Sequence, residues 1–399
     1  MTSFGAAAFG ATSSPVTTQA APPRQSAQAE TAKPRKLARP RHRIIRSVGA
    51  GQDDHTLANL GERLNSNTLA VIAGGLGSTD LAVAQDLAAT LDDGDELRIL
   101  PTVGAGGGRN IRDVRFMKGV DLAITQTSVL ARLRQSGEIG PLDDKIVYLA
   151  KLFNAEMHVL VRAESGIARL EQLAGRTVAL GETGGGTQLI AHDVLDRLGI
   201  TVREVAMAAP DAIARLAAGD VDAAVVIGGR PVPALAHVPA GLRLLPVPFA
   251  KPLRDDFLPA TLSSEDYPDL IAPERPVETL AVGTVLVAAN WPKDSDRYRK
   301  IAKFVAALFA KIGALQVSPH HAKWREVNLA ATMPGWSRFA AAEDWLAQHR
   351  ELAETERERF DRFVASRNAQ GGVDQANASV DRERLFQDYR QWSDAQVQR

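Results

Sequence analysis

Three glycine-rich loops carry the clearest chemical potential in this chain: Gly74–Thr79, Gly104–Asn110 and Gly184–Gln188. Each lies between an apolar strand-like run and a helix-like run. Glycine lets the backbone come close to a ligand, and the helix that follows offers unpaired N–H groups at a positive dipole end. Loops of this sort hold carboxylates, phosphates or zwitterions. One such loop alone is as easily a tight turn; three converging on one cleft make a binding site. None reads Gly-x-x-x-x-Gly-Lys-[Ser/Thr], which excludes a P-loop, and Gly104-Ala105-Gly106-Gly107-Gly108 does not match Gly-x-Gly-x-x-Gly.

Catalytic constellations are largely missing. There is no Gly-x-Ser-x-Gly elbow and no His-Glu-x-x-His pair. The chain has no Cys, which excludes disulfides, thiol nucleophiles and iron–sulfur or Cys-type zinc sites and leaves the redox compartment open. His158 sits beside Glu156 in an apolar run, where it either bonds a ligand or is a satisfied, half-buried histidine. Arg230, in Gly228-Gly229-Arg230-Pro231, follows a strand end and is either a partner for a ligand carboxylate or an ordinary surface arginine. His320-His321 has no third ligand at metal spacing, and the acidic residues around Gly94 miss the calcium-loop pattern. The sequence therefore predicts neither a metal nor a cofactor. With no nucleophile–base pair, an enzyme is the least favoured class.

The elements that must position these loops alternate. Thr68–Ala73, Leu97–Pro101 and Gly119–Ile124 read as strands, each followed by a helix, with Gln126-Thr127-Ser128 opening the third helix. The order then repeats: strand Arg176–Leu180, glycine loop, helix from Thr187, strand Val202–Met207, helix Asp211–Ala218 and strand from Val221. Gly219-Asp220-Val221-Asp222-Ala223-Ala224 echoes Gly119-Val120-Asp121-Leu122-Ala123. Two such units predict two α/β lobes with parallel sheets, which bind ligands at the carboxyl ends of their strands. Met157–Arg162 and Thr279–Ala288 are apolar and β-rich and read as the two hinge strands between the lobes. Pro231–Pro276 reads as surface connection and lobe edge, and Lys300–Leu315 as an amphipathic helix. The chain after Trp336 reads as charged helices clasping the back of the first lobe, the last being Leu385–Val397.

Composition narrows the partners. With 47 Lys+Arg against 47 Asp+Glu in 399 residues, the net charge is zero, so no global field favours nucleic acid. No uncharged apolar run is long enough to span a bilayer. Residues 12–43 are rich in Ala, Pro, Gln, Ser and Arg with no hydrophobic period, which predicts a solvated linker; contact with an anionic membrane surface is the alternative for its basic cluster. MTSFGAAAFGATSS lacks the basic start of a signal peptide, so it is either the remainder of a leader whose start is truncated or mis-assigned, or a disordered cytoplasmic segment.

Several motifs together resemble one family. Leu170-x-x-Leu173-x-Gly175-Arg176-Thr177-Val178-Ala179-Leu180-Gly181 followed by Gly184-Gly185-Gly186-Thr187 resembles the second lobe of type II periplasmic solute-binding proteins. With Val120–Thr127, Glu156-Met157-His158 and Pro334-Gly335-Trp336-Ser337-Arg338-Phe339, the chain over about residues 67–350 is similar to the TAXI family, the solute receptors of a class of TRAP transporters. The resemblance implies a periplasmic, non-enzymatic, two-lobed receptor that closes over a small solute such as glutamate, glutamine or a small carboxylate and delivers it to a membrane permease. It divides the chain into a leader (1–66), a first lobe (67–156 and 279–335), a second lobe (157–278) and a C-terminal helical extension (336–399). By position, Gly75, Gly77 and Ser78 would touch the solute, with Gly107, Gly108 and Asn110 from the second loop and Gln126, Thr127 and Ser128 from the third strand end. Gly186 and Thr187 would donate from the opposite lobe, and His158 and Arg230 complete the candidate set. Thr79-Asp80-Leu81 stands where many members carry an aromatic pair, and Asp80 near the mouth disfavours an anion. A ligand-sensing regulator of the same fold, acting through a partner signalling protein, is the competing reading.

Overall fold

The computed structural model describes residues 53–94 and 96–350. The N-terminal stretch before Asp53 and the predicted helices beyond residue 350 lie outside the described residues. The first lobe runs β1 (Thr68–Ile72), α2 (Thr79–Leu91), β2 (Arg98–Thr102), α3 (Gly107–Phe116), β3 (Leu122–Gln126) and α4 (Thr127–Ser136), preceded by α1 (Asp53–Asn67). A 17-residue strand, β4 (Ile146–Arg162), leads out of it. The second lobe runs β5 (Thr177–Ala179), α5 (Gly186–Arg197), β6 (Arg203–Val205), α6 (Ala209–Ala218), β7 (Ala223–Gly228), β8 (Leu242–Leu245) and β9 (Leu258–Leu262). The chain returns through β10 (Val277–Ala289) to α7 (Asp296–Ala310) and α8 (Ile312–Leu315).

The strand order repeats in each lobe. In the first it is β2-β1-β3-β10-β4, and in the second β6-β5-β7-β4-β8. In both, the second strand flanks the first, the third lies on its other side, and these three are parallel. A long antiparallel strand then follows, β10 in one lobe and β4 in the other. These are the two α/β lobes that the alternating elements predicted, in the type II periplasmic-binding-protein arrangement that the resemblance implied. The sequence echo has a physical cause. Asp121 Oδ2 accepts from Ala70 N at 3.0 Å, and Asp222 Oδ2 accepts from Thr177 N at 2.9 Å. Each Asp opens the third strand of its lobe and fixes the register of the first, while Val120 and Val221 beside them are buried in the cores.

β4 and β10 are the crossing strands, and both are longer than the apolar runs suggested. β4 pairs with β10 from Ile146 to Glu156, then with β7 from Glu156 to Val161. The passage between lobes therefore lies near Phe153–Met157, at the start of the predicted hinge, where irregular pairing at Gly283/Val285 bends the ladder. β4 is buried on both faces for most of its length, hence consecutive apolar residues at Ile146–Ala150 and Val159–Val161 rather than an alternating pattern.

Three sequence readings are corrected. The stretch assigned to the leader (1–66) includes a helix: α1 lies against α7. Pro231–Pro276 is more than surface connection: β8 extends β4, β9 extends β10, and Val232, Leu235, Phe257, Tyr267 and Ile271 are buried. Its prolines lie at turns and edges, which hid that contribution. The helix read as Lys300–Leu315 starts at Asp296 on a Ser295 cap and breaks at Lys311. Residues 340–350 are helical and pack on the first lobe through Trp345, whose ring meets Phe309 edge-on at 5.2 Å.

Candidate functional site

The glycine loops meet between the lobes. A Cβ built on Gly107 would lie 2.5 Å from Gly186 N, and one on Gly185 would lie 2.6 Å from Ala105 O, so only glycine permits these approaches. Gly106 caps α3 and Gly185 caps α5, and neither helix start receives a side-chain cap. Their first-turn amides and positive dipole ends therefore face the seam between the lobes. The first loop also reaches across: Ala234 N donates to Gly77 O at 2.9 Å, and Thr79 Oγ1 donates to Gly229 O at 2.6 Å.

A chamber of ≈ 70 Å³ lies in this seam, lined by Gly75, Ser78, Ala105, Glu182, Thr187 and Val226. That is room for a few waters and no solute. It is continued at the mouth by a cavity of ≈ 440 Å³ bordered by Gly75, Arg109, Glu182 and Asp211. The outer cavity has room for a small solute as it stands, whereas the deep chamber would take one only if the lobes part.

The predicted residues divide into groups. Gly75, Gly77, Ser78 and Thr187 line the deep chamber. Ser78 also caps α2, its Oγ accepting from Leu81 N at 3.2 Å, and Thr187 Oγ1 accepts from Ile227 N at 3.4 Å. Gly107 and Gly186 form the inter-lobe contact. Gln126 lies at the floor, beside Gly186: a Cβ on that glycine would fall 2.5 Å from Gln126 Oε1. Gly108 faces Leu133 and Leu189, and Thr127 faces Gly283. Ser128 lines a different groove of ≈ 340 Å³ between α4 and α5.

Three predicted contacts act as structural ties. Asn110 is fully buried; its Nδ2 donates to Ala73 O at 2.8 Å and Ile124 O at 3.0 Å, and its Oδ1 accepts from Gly106 N at 3.1 Å. It locks the ends of β1 and β3 to the second glycine loop. His158 is also fully buried: Nδ1 meets Glu156 O at 3.0 Å, and Nε2 meets Tyr267 Oη at 2.8 Å. Burial lowers its pKa from 6.5 to about 4, so the ring is neutral and saturated. Arg230 pairs with Asp266 at 3.2 Å and Glu156 at 3.5 Å, and a guanidinium held so is not aimed into the chamber.

Some residues central to the geometry carry little signal in the sequence. Asp80, placed near the mouth by the sequence, is buried at 7% exposure in the first turn of α2, beside Gln126 Nε2, which donates to its Oδ2 at 3.1 Å. Burial raises its pKa from 3.8 to about 6, the Gln126 bond offsetting only part of that. At the crossing, Glu156 accepts from Lys323 Nζ at 2.6 Å and from Arg230 N at 2.9 Å. Burial raises the Glu156 pKa, with Lys323 opposing the rise. Lys323 comes from the returning chain, Glu156 from a crossing strand and Arg230 from the second lobe, so this cluster ties the lobes at their junction. Only the tertiary fold brings those three together. Among the described residues no group of acidic, His or Cys side chains is arranged to hold a metal, and no helix is long and apolar enough to cross a membrane.

Solved structures similar to this chain share little sequence with it. One is described as a periplasmic transporter (16% identity, covering 62% of this chain and 86% of that one, TM-score 0.43). Another is an ABC uptake transporter substrate-binding protein from Streptococcus pneumoniae with bound histidine (10% identity, 67% and 95%, TM-score 0.42). A third is XAC2383 from Xanthomonas citri bound to ATP (14% identity, 65% and 89%, TM-score 0.38). A family model matches most of the two-lobed region, residues 71–334, and is that of the NMT1-like family. With that match spanning both lobes and both crossing strands, the chain belongs to the NMT1-like family.

Proposed function

We propose that this protein is a solute receptor that captures a small polar molecule between its lobes and hands it to a membrane transporter. The observation that carries this reading is the seam itself. Two lobes of the same topology, joined through β4 and β10, press helix starts that lack side-chain caps and glycine loops against one another, around a chamber with room for a few waters that opens into a wider cavity. Such a seam does nothing as a fixed contact, but on opening it offers the backbone N–H groups of α3 and α5 to a carboxylate. Hinge motion about two strands is a well-attested route to ligand-driven closure.

The finer reading follows from the sequence resemblance: the solute receptor of a TAXI-type TRAP transporter, working outside the cytoplasm beside a permease. It acts by binding, without turnover. Supporting this, the buried His158 has both ring nitrogens engaged by protein groups and is not free to act as a base.

A thermal-shift screen against amino acids, dicarboxylates, keto acids and sugars tests the proposal. A solute at 100 times its Kd adds about 2.7 kcal/mol and raises Tm by a few degrees. Saturable stabilisation by a small carboxylate is expected. Stabilisation accompanied by chemical conversion of the solute would overturn the receptor reading.

A further inference from the structure

The floor of the seam holds buried oxygens that nothing satisfies. Among the described residues, Asp80 Oδ1, Gln126 Oε1 and Thr284 Oγ1 are buried without a hydrogen-bond partner. All three residues are nine-tenths or more buried: Asp80 is 7% exposed, Gln126 4% and Thr284 0%. They also belong together. Asp80 and Gln126 are joined by their own hydrogen bond, and Thr284 on β10 is the register partner of Gln126 on β3, so the two side chains share a face of the sheet. Gly186, at the start of α5, covers Gln126 Oε1 from the opposite lobe.

A lone unsatisfied acceptor is a local defect, costing about 1–3 kcal/mol. Several on adjoining side chains, one a carboxylate, directly beneath the contact between the lobes, form a site awaiting a donor. The charge balance specifies which donor. The Gln126 amide spends one N–H on Asp80, and the atoms left without a partner are two acceptor oxygens and a hydroxyl. A solute carboxylate would be repelled there, whereas a protonated nitrogen supplies positive charge and several N–H groups. Three oxygens fall short of the six to eight that a hard divalent cation takes. The anionic end of a solute has its own place, at the starts of α3 and α5.

We propose that Asp80 and Gln126, with Thr284 beside them, form a recognition site for a protonated amino group, so the solute is an amine-bearing zwitterion rather than an amine-free dicarboxylate, keto acid or sugar. The assignment rests on the solute-receptor reading and adds its substrate class. It also reinterprets Asp80: the residue that disfavours an anion marks the cationic end of the solute.

Calorimetry on the full chain with matched solutes tests it: L-glutamate against glutarate and 2-oxoglutarate, L-alanine against propionate, and L-glutamine against glutaramate, with sodium chloride alone as a further arm. In the wild-type protein at least one amine-bearing solute should bind tenfold or more tighter than its amine-free counterpart. Asp80→Asn should reduce that preference at least tenfold. Equal or tighter binding of amine-free solutes to the wild type overturns the assignment while leaving the receptor reading intact, and this comparison needs no variant to fold. Stabilisation by sodium chloride alone, lost in Asp80→Asn, overturns it in favour of a monovalent metal ion. Silence from every solute, with the protein folded, overturns the receptor reading itself.

Discussion

Gly107 and Gly186 touch backbone to backbone across the two lobes, so closely that a Cβ on Gly107 would lie 2.5 Å from Gly186 N and 2.6 Å from its Cα. Neither backbone can yield without moving its lobe. Gly107→Ala should therefore hold the lobes apart and weaken solute binding tenfold or more, with the fold retained. The φ of +54° at Gly107 adds a strain of about 1 kcal/mol. Gly119→Ala, at φ +87° with nothing near its Cβ, carries that strain alone and should bind solute normally. Small-angle scattering with calorimetry separates the two, and equal affinity in both variants would remove the contact from the closing mechanism.

Two buried groups titrate in opposite senses over the same pH range. Asp80, raised from 3.8 to about 6, holds a proton in the native state that the unfolded chain has lost, so its contribution falls as pH rises from about 4 to 6. His158, lowered from 6.5 to about 4, refuses a proton that the unfolded chain takes up, so its contribution falls as pH drops from 6.5 to 4. Their slopes oppose. Asp80→Asn removes the first and should stabilise the solute-free protein at pH 7–8 by up to roughly 3 kcal/mol, the equivalent of about two pKa units. Its Tm should then fall more steeply than wild type on acidification to pH 4. Parallel Tm profiles would contradict the burial of Asp80.

Asn110 belongs to the framework of the site. Asn110→Ala leaves Ala73 O, Ile124 O and Gly106 N without their buried partner, a loss of about 3 kcal/mol or more. The urea midpoint should fall accordingly, with binding lost only as unfolding sets in. Normal stability with lost affinity would return Asn110 to the ligand contacts.

Asp121 and Asp222 hold equivalent places in the two lobes, and their removal should be additive. Asp121→Ala frees Ala70 N and also strands Lys300, whose Nζ lies 3.0 Å from the carboxylate. It should cost about 2 kcal/mol. Asp222→Ala frees Thr177 N and loosens a pairing with Arg176 at 3.8 Å, and should cost about 1 kcal/mol. Distant sites add to within about 0.5 kcal/mol, and urea unfolding of the double variant checks the sum. Strong coupling would mean that the lobes do not register independently.

The parts legible in the sequence were those written in local pattern. Alternating strands and helices, the glycine loops and the repeated Val-Asp step gave the two lobes, because each is set by residues a few positions apart. The candidate site was legible in its backbone and in a few side chains, Ser78, Gln126 and Thr187, that stand beside the glycine loops. Gly75, Gly77, Gly107 and Gly186 fall at the seam because close approach needs glycine wherever it occurs. Other side-chain roles were not legible, since Asn110, His158 and Arg230 look the same in sequence whether they face a solute or a carbonyl. The Glu156–Lys323 pair joins residues distant in the chain, and no local pattern announces it. Tyr267, which satisfies His158, lies in the Pro-studded stretch read as surface.

The most direct test of solute capture is a distance across the seam. The chain has no native Cys, so Arg112→Cys on α3 and Arg215→Cys on α6, both exposed, place one spin label on each lobe without interference. Double electron–electron resonance would then be recorded with and without the solute found by calorimetry. Capture by closure predicts a broad distribution in the free protein that narrows to a single, shorter distance on binding. An unchanged distribution at saturating solute would contradict it.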